Sequence, residues 1–318
     1  MEIKFDGALT ALARWPLSRA RLVGSLPGSA RNLNILVEDA SGSRYVLRCC
    51  RRNPSQDRIR FQLDFQDHLR CRGIPTAEIV VTATGDRCVA TDAACLWVLF
   101  RFVEGDAYRY DSRAQLENAA RCLADIHGAA ADFTAAPVED DTIPDLRRWW
   151  THGEEELAGL RAMFSHSNVG PELDFLGHWR NALTRDLPLA LVDELPSGWL
   201  HADFHGRNVV FTGDQVRGVF DFDVVHRGWC LEDIAYAMFC FSRENRASTV
   251  IRADASRAFL EPFGLTAMER MALPHFIAAT QARTSSRYRV REREGADPAQ
   301  VLRAHVARMR ALSPSLAV

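Results

Sequence analysis

The chain has 318 residues, of which 47% are hydrophobic and 25% charged, enough to fold around one large core or two modest ones. That composition excludes a disordered or fibrous chain. With 39 basic residues against 41 acidic ones the formal charge is -2, which argues against a dedicated nucleic-acid binder, whose footprint is a cationic excess.

The first residues, MEIKFDGALTALARWP, place no apolar run behind a basic one, so no secretory leader is expected. No stretch approaches the roughly 18 apolar residues of a membrane span. None of the 8 cysteines forms a C-x-x-C pair and several sit in apolar runs. They read as reduced core cysteines of a cytoplasmic protein, not as a disulfide or zinc framework.

In chain order the pattern begins with short strands, at 21–23, 33–38 and 44–49, the last two joined by the turn at 39–43. The segment RIRFQLDFQDHLR, 58–70, spaces Ile59, Leu63, Gln66 and Leu69 as one helical face, closed by Gly73 and Pro75. Strands follow at 78–82 and 95–103. Asp111 and Ser112 then cap a helix running to about His127, with Leu116, Ala119, Ala120, Leu123 and Ile126 as its apolar stripe. Helical patterns occupy about 145–185 and resume from Leu231, interrupted by a strand-rich block at 198–223. Sheet first and helix afterwards predicts an α+β fold in two lobes, 1–103 and 104–318.

The most informative stretch is WLHADFHGRNVVFTGDQVRGVFDFDVVHRGWCLEDIAYAMFCF, 199–241. Val209–Phe211 and Val216–Phe220 flank the turn Thr212-Gly213-Asp214-Gln215, the signature of a β-hairpin. Pairing Phe211 with Val216 sets Asn208 opposite Val219, so Asn208 and Asp221 are expected at one end of the hairpin. Asp203 lies in the loop that enters it. One carboxamide and two carboxylates thereby converge within nineteen residues. The trio suits phosphoryl transfer, because Mg²⁺ takes hard oxygen ligands such as Asn208 and Asp221 and the second carboxylate, Asp203, is left to orient an attacking hydroxyl. Asp and Asn are also common turn formers. The joint spacing, taken with the family resemblance of the same residues, favours the catalytic reading.

H-A-D-F-H-G-R-N followed by D-F-D resembles the catalytic and metal motifs of the aminoglycoside phosphotransferase and choline kinase superfamily, relatives of protein kinases. ARNLNILVEDASGSRYVLR, FQLDFQDHLRCRGIPTAEIVVTATG and VLFRFVEGDAY resemble the upstream segments of its type II homoserine kinase-like branch. The likeness covers about residues 20–240. It implies a protein-kinase-like two-lobe fold: a small antiparallel sheet lobe that binds nucleotide, and a larger helical lobe bearing the hairpin. It also implies ATP as co-substrate, with GTP an alternative, and Mg²⁺. Carried over residue by residue, Asp203 is the catalytic base, and Asn208 and Asp221 are the metal ligands. His201 braces the loop and Asp233 holds its backbone, while Asp223 has a supporting role. Gly28, in the loop 24–32, and Phe102 and Val103, at the end of the interlobe strand, meet the nucleotide.

Two departures stand out. The family commonly grips the α/β-phosphates with a strand lysine, and the only lysine here is Lys4. Arg48, in Y-V-L-R, occupies the expected place, with Val46 on the same strand face. The usual helix glutamate is replaced by Gln62, with Asp64 and Asp67 as charged alternatives if the helix is rotated.

His201 reads as a buried brace before a proton carrier, and His205 and His226 flank the same loops without a zinc pattern. Trp149-Trp150, Phe239–Phe241 and the stripe Leu231, Ile234, Ala235, Met238 read as packing. From Arg243 to Arg310 there are 13 arginines against 7 acids, unlike a pocket for a polycationic aminoglycoside. The expected acceptor is a neutral, zwitterionic or anionic alcohol, with Arg227, Trp229, Arg243 and Arg287 as contact candidates. The sequence therefore predicts a kinase of a small metabolite hydroxyl, an amino acid or amino alcohol first. An antibiotic phosphotransferase and a nucleotide-binding pseudokinase are the alternatives. Its partners are a small-molecule alcohol and a nucleotide, with no nucleic acid and no membrane.

Overall fold

The computed structural model describes residues 6–26, 32–50, 55–91, 95–138, 143, 145–282, 284–285, 288–289, 292 and 295–312. The first elements are α1 (Asp6–Leu12), β1 (Arg21–Ser25), β2 (Leu33–Glu38), β3 (Arg44–Cys50), α2 (Gln56–Cys71), β4 (Ile79–Val80), β5 (Val89–Ala90), β6 (Leu96–Arg101) and β7 (Asp106–Ala107). Helices α3 (Arg113–Ala130), α4 (Arg148–Thr151), α5 (Gly153–Met163), α6 (Gly170–Asp186) and α7 (Leu189–Val192) follow. Strands β8 (Ser197–Leu200), β9 (Val209–Thr212), β10 (Gln215–Val219) and β11 (His226–Trp229) come next. The chain continues with α8 (Cys230–Ser242), α9 (Ala253–Leu260), α10 (Ala267–Ala279) and α11 (Pro298–Leu312).

The described residues of Met1–Ala107, Asp132–Glu139 and Val209–Asp223 form one compact unit, and those of Tyr108–Ala131, Asp140–Asn208 and Val224–Val318 a second. A single cut near residue 103 would leave the hairpin with the helical part; the contacts group it with the sheet.

In the first unit an antiparallel sheet runs β1-β2-β3-β6-β4, with β5 also on β6. Strand alternation sorts β3 into two faces. Tyr45, Leu47 and Cys49 join Ile35, Val37, Trp97 and Leu99 in a core closed by Ala8, Ala11, Leu12 and Trp15. Arg48 and Cys50 point to the other face, where Ile59 and Leu63 of α2 pack on Cys50, Leu96 and Val98. Helix α2 begins at the Ser55 cap, whose Oγ accepts the Arg58 N–H at 3.4 Å, and ends before Gly73 at φ +85. The strands predicted at 78–82 and 95–103 narrow to β4 and β6.

The hairpin has the predicted two-residue turn, with Gly213 at φ +60 and Thr212 facing Gln215. Its register differs in detail. Phe211 faces Val216, but a bulge between Val216 and Gly218 sets Val219 against Val209, not Asn208. Strand β7 adds to β9 as the third strand of this small sheet.

In the second unit α3 starts at Ser112, whose Oγ accepts the Gln115 N–H, and its predicted stripe is buried. Leu231, Ile234, Ala235 and Met238 are likewise buried as α8 packs against α3, α9, α10 and β8. Trp149 meets Trp179 edge-on at 5.3 Å, Trp150 meets Trp229 at 5.4 Å, and Phe241 stacks on Phe259 at 5.7 Å. These aromatics are core. Cys49, Cys50, Cys122 and Cys240 are buried, whereas Cys71 is exposed at the end of α2, against the reading of all cysteines as core. No helix among the described residues is long and apolar enough to cross a membrane.

Candidate active site

In the second unit the loop from His201 to Asn208 is fixed by one buried carboxylate. Asp233, in the first turn of α8, accepts the His201 N–H on Oδ2 at 2.7 Å and the Ala202 N–H on Oδ1 at 2.8 Å. His127 Nε2 also reaches Oδ2, at 3.1 Å. Burial alone would raise the Asp233 pKa; the hydrogen bond and charge of His127, with His201, outweigh it and hold the group below the ordinary carboxylate value. Ala202 sits at φ +62, a strained conformation for a residue with a Cβ. Its own N–H and that of His201 before it are both turned onto the Asp233 carboxylate. His201 is fully buried, and its Nδ1 accepts the Asp203 N–H at 3.3 Å.

Asp203 is then held from two sides. Tyr236 donates its hydroxyl to Oδ1 at 3.1 Å, and Asn208 donates Nδ2 to the Asp203 carbonyl at 2.9 Å and to Oδ2 at 3.3 Å. The amide edge of Asn208 is therefore committed to Asp203, leaving Oδ1 as the acceptor edge. His205 Nε2 lies 3.6 Å from Asp203 Oδ1, and its Nδ1 accepts the Arg207 N–H. Burial lowers the His205 pKa below the ordinary imidazole value despite Asp203, so the ring is neutral at neutral pH. Gly206 is required here, because a Cβ would come within 2.9 Å of the Tyr108 side chain.

The first unit carries the other candidates. Asp221, two residues beyond β10, is at φ +68. Arg48 Nη2 lies 2.8 Å from Asp221 Oδ1 and 2.8 Å from Asp223 Oδ1. Burial works against the Arg48 charge, but Asp223 and Asp221 push its pKa well above the ordinary guanidinium value. Gln62 does not take the place expected beside Arg48: its Nε2 donates to the Asp223 carbonyl at 3.2 Å. Asp64 and Asp67 do not turn toward Arg48 either, because both pair with Arg87. Arg48, Gln62, Asp221 and Asp223 line one open pocket with Cys50 and Gln66. The Phe102 N–H is engaged by the Arg44 carbonyl at 3.0 Å, just before Val103. Gly28 and Arg287 lie outside the described residues.

Sequence reasoning missed Tyr236, His127, Asn32 and Arg58. Tyr236 had a signal, since it follows Asp233 by three residues and shares its helical face. His127, Asn32 and Arg58 act across 106 to 191 residues and left no local trace.

A sheet unit carrying an arginine–aspartate network beside a D-F-D turn, and a helical unit presenting a braced Asp203–Asn208 loop, define a phosphotransferase of the kinase-like, two-lobe α+β class. The model of the phosphotransferase enzyme family matches residues 23–273. The chain belongs to that family, and is a small-molecule kinase with an alcohol group as acceptor. It is 31% identical over 224 residues to the homoserine kinase of Neisseria meningitidis serogroup B, covering 69% of this chain and 67% of the relative. Among solved structures it resembles a microcompartment-associated aminopropanol kinase, with a TM-score of 0.72, 20% identity and coverage of 96% of this chain and 97% of the other. It also resembles an amicoumacin kinase in complex with AMP-PNP, Ca²⁺ and Ami, with a TM-score of 0.68, 16% identity and coverage of 97% and 94%.

Proposed function

We propose that this chain is an ATP- and Mg²⁺-dependent kinase of a small amino acid or amino alcohol, with homoserine as the first acceptor to test. The observation that carries the reading is the doubly held Asp203, whose carboxylate oxygens take the Tyr236 hydroxyl and the Asn208 amide on a loop pinned by Asp233. A carboxylate fixed in this way serves to orient an acceptor hydroxyl and take its proton late in transfer. The homoserine kinase and aminopropanol kinase likenesses support an amino-bearing alcohol.

Asn208 Oδ1 in the helical unit and an Asp221 oxygen in the sheet unit are each a hard donor of the kind a divalent cation takes. Among the described residues no group of three or more His, Cys, Asp or Glu side chains is placed to hold a metal ion by itself. A divalent ion held by these donors would neutralise charge on the transferring phosphoryl group. Arg48 would meet the polyphosphate, and the main chain at Val103 the adenine, in a nucleotide-binding lobe to about residue 103. The rest of the chain serves as the catalytic and acceptor-binding lobe.

The experiment is ATP consumption against a panel of homoserine, aminopropanol, ethanolamine, choline, sugars and aminoglycosides, with Asp203→Asn as control. Turnover with an amino alcohol or hydroxy amino acid that is lost in the control supports the reading. Turnover confined to aminoglycosides, or none at all with intact nucleotide binding, contradicts it.

A further inference from the structure

Asp223 is engaged through both its carboxylate and its carbonyl. Its Oδ1 meets Arg48 Nη2 at 2.8 Å and its Oδ2 accepts Asn32 Nδ2 at 2.6 Å. Its carbonyl accepts Arg58 Nη2 at 3.1 Å and Gln62 Nε2 at 3.2 Å. Asn32, Arg58, Gln62 and Asp223 are each no more than 9% exposed. These donors come from the start of β2, from β3 and from α2, so one residue ties three segments of the sheet unit to the D-F-D turn. Buried charge-assisted hydrogen bonds of this kind are costly to leave unmade.

We infer that Asp223 is a positioning residue, the counter-ion that orients Arg48 toward a polyphosphate; the inference rests on the kinase reading above. Its carboxylate oxygens meet Arg48 and Asn32, both within the sheet unit. Arg48 Nη2 donates to Asp221 Oδ1 and lies within ion-pair distance of Asp223 Oδ1, so one nitrogen meets both acids and Nη1 and Nε would be the edge for phosphate. A guanidinium needs a lateral partner to fix its plane. Asp223 supplies that partner from the turn, and α2 contributes through neutral or cationic donors to its carbonyl. Without Asp223, Arg48 would collapse onto Asp221 alone.

The test is nucleotide binding by the full chain, measured by calorimetry with ADP in EDTA and with AMP-PNP in Mg²⁺. Asp223→Asn is expected to weaken ADP binding in EDTA about tenfold. Asp223→Glu keeps a carboxylate on the turn, and is expected to bind ADP at least about threefold more tightly than Asp223→Asn. Loss confined to the Mg²⁺ buffer would mark a metal ligand and overturn the inference, as would unchanged or tighter binding in EDTA, or Asp223→Glu binding ADP no better than Asp223→Asn. If Asp223→Asn does not fold, Asn32→Ala removes one donor from the same carboxylate and no charge. It is expected to weaken ADP binding in EDTA about threefold, and unchanged binding overturns the inference. A wild-type chain that binds neither nucleotide would instead take away the kinase reading, and this inference with it.

Discussion

The Tyr236 hydroxyl lies 3.1 Å from Asp203 Oδ1, joining the first two turns of α8 to the carboxylate proposed as the base. Tyr236→Phe removes this donor and keeps the ring. It is expected to lower kcat about tenfold, roughly 1.4 kcal/mol, with the KM for ATP within about twofold of wild type. Steady-state kinetics on a confirmed acceptor check this, and an unchanged kcat would take Tyr236 out of the site.

The metal-ligand roles predict a graded pair of variants. Asp221→Ala removes the anionic oxygen and is expected to abolish detectable transfer. Asn208→Ala removes a neutral oxygen and one support of Asp203, and is expected to be damaging yet partly rescued by raising Mg²⁺ about tenfold. A titration of activity against Mg²⁺ for both variants provides the check. Full activity of Asp221→Ala at ordinary Mg²⁺ would refute the assignment.

Glu232, in the first turn of α8, accepts the Trp229 N–H at 3.1 Å. Burial pushes its pKa up to about 8 from an ordinary 4.5, against that hydrogen bond. A raised folded-state pKa means that the folded protein holds a proton the unfolded chain has released. The stability contribution is therefore full below pH 4.5 and is lost as pH rises through about 8. Glu232→Gln is expected to flatten the fall in Tm between pH 5 and 8, a window set by these two values. Melting curves across that range test it, and parallel pH profiles for the two proteins would contradict it.

The residues themselves made much of this legible. Turn chemistry at Gly213-Asp214 placed the hairpin, and the Ser112 cap and its apolar stripe placed α3, because both signals are local. Helix α1 was not readable, since its seven residues carry only Ala8, Ala11 and Leu12 as buried apolar positions. The pairing of β11 with β8 was also missed, because four residues with Gly228 among them give no alternation. The bulge that slips Val219 onto Val209 depends on sheet geometry that alternation does not encode. At the site, Arg48 was found from the resemblance, which expects a cation at that place on the strand. Its partners were not, because Asp221 and Asp223 lie 173 and 175 positions away and the helix residue that spacing suggested binds the Asp223 backbone instead.

The central claim is that Asp203 is the base of a phosphoryl transfer, and Asp203→Asn tests it most directly. The substitution keeps the shape of the side chain and removes its proton affinity. Calorimetry with AMP-PNP and Mg²⁺ is expected to give an affinity within about twofold of wild type. Single-turnover transfer to the confirmed acceptor should fall by about 10²–10⁴-fold. Nucleotide binding retained with transfer lost is the predicted result; near-normal transfer in the Asn variant would contradict the account.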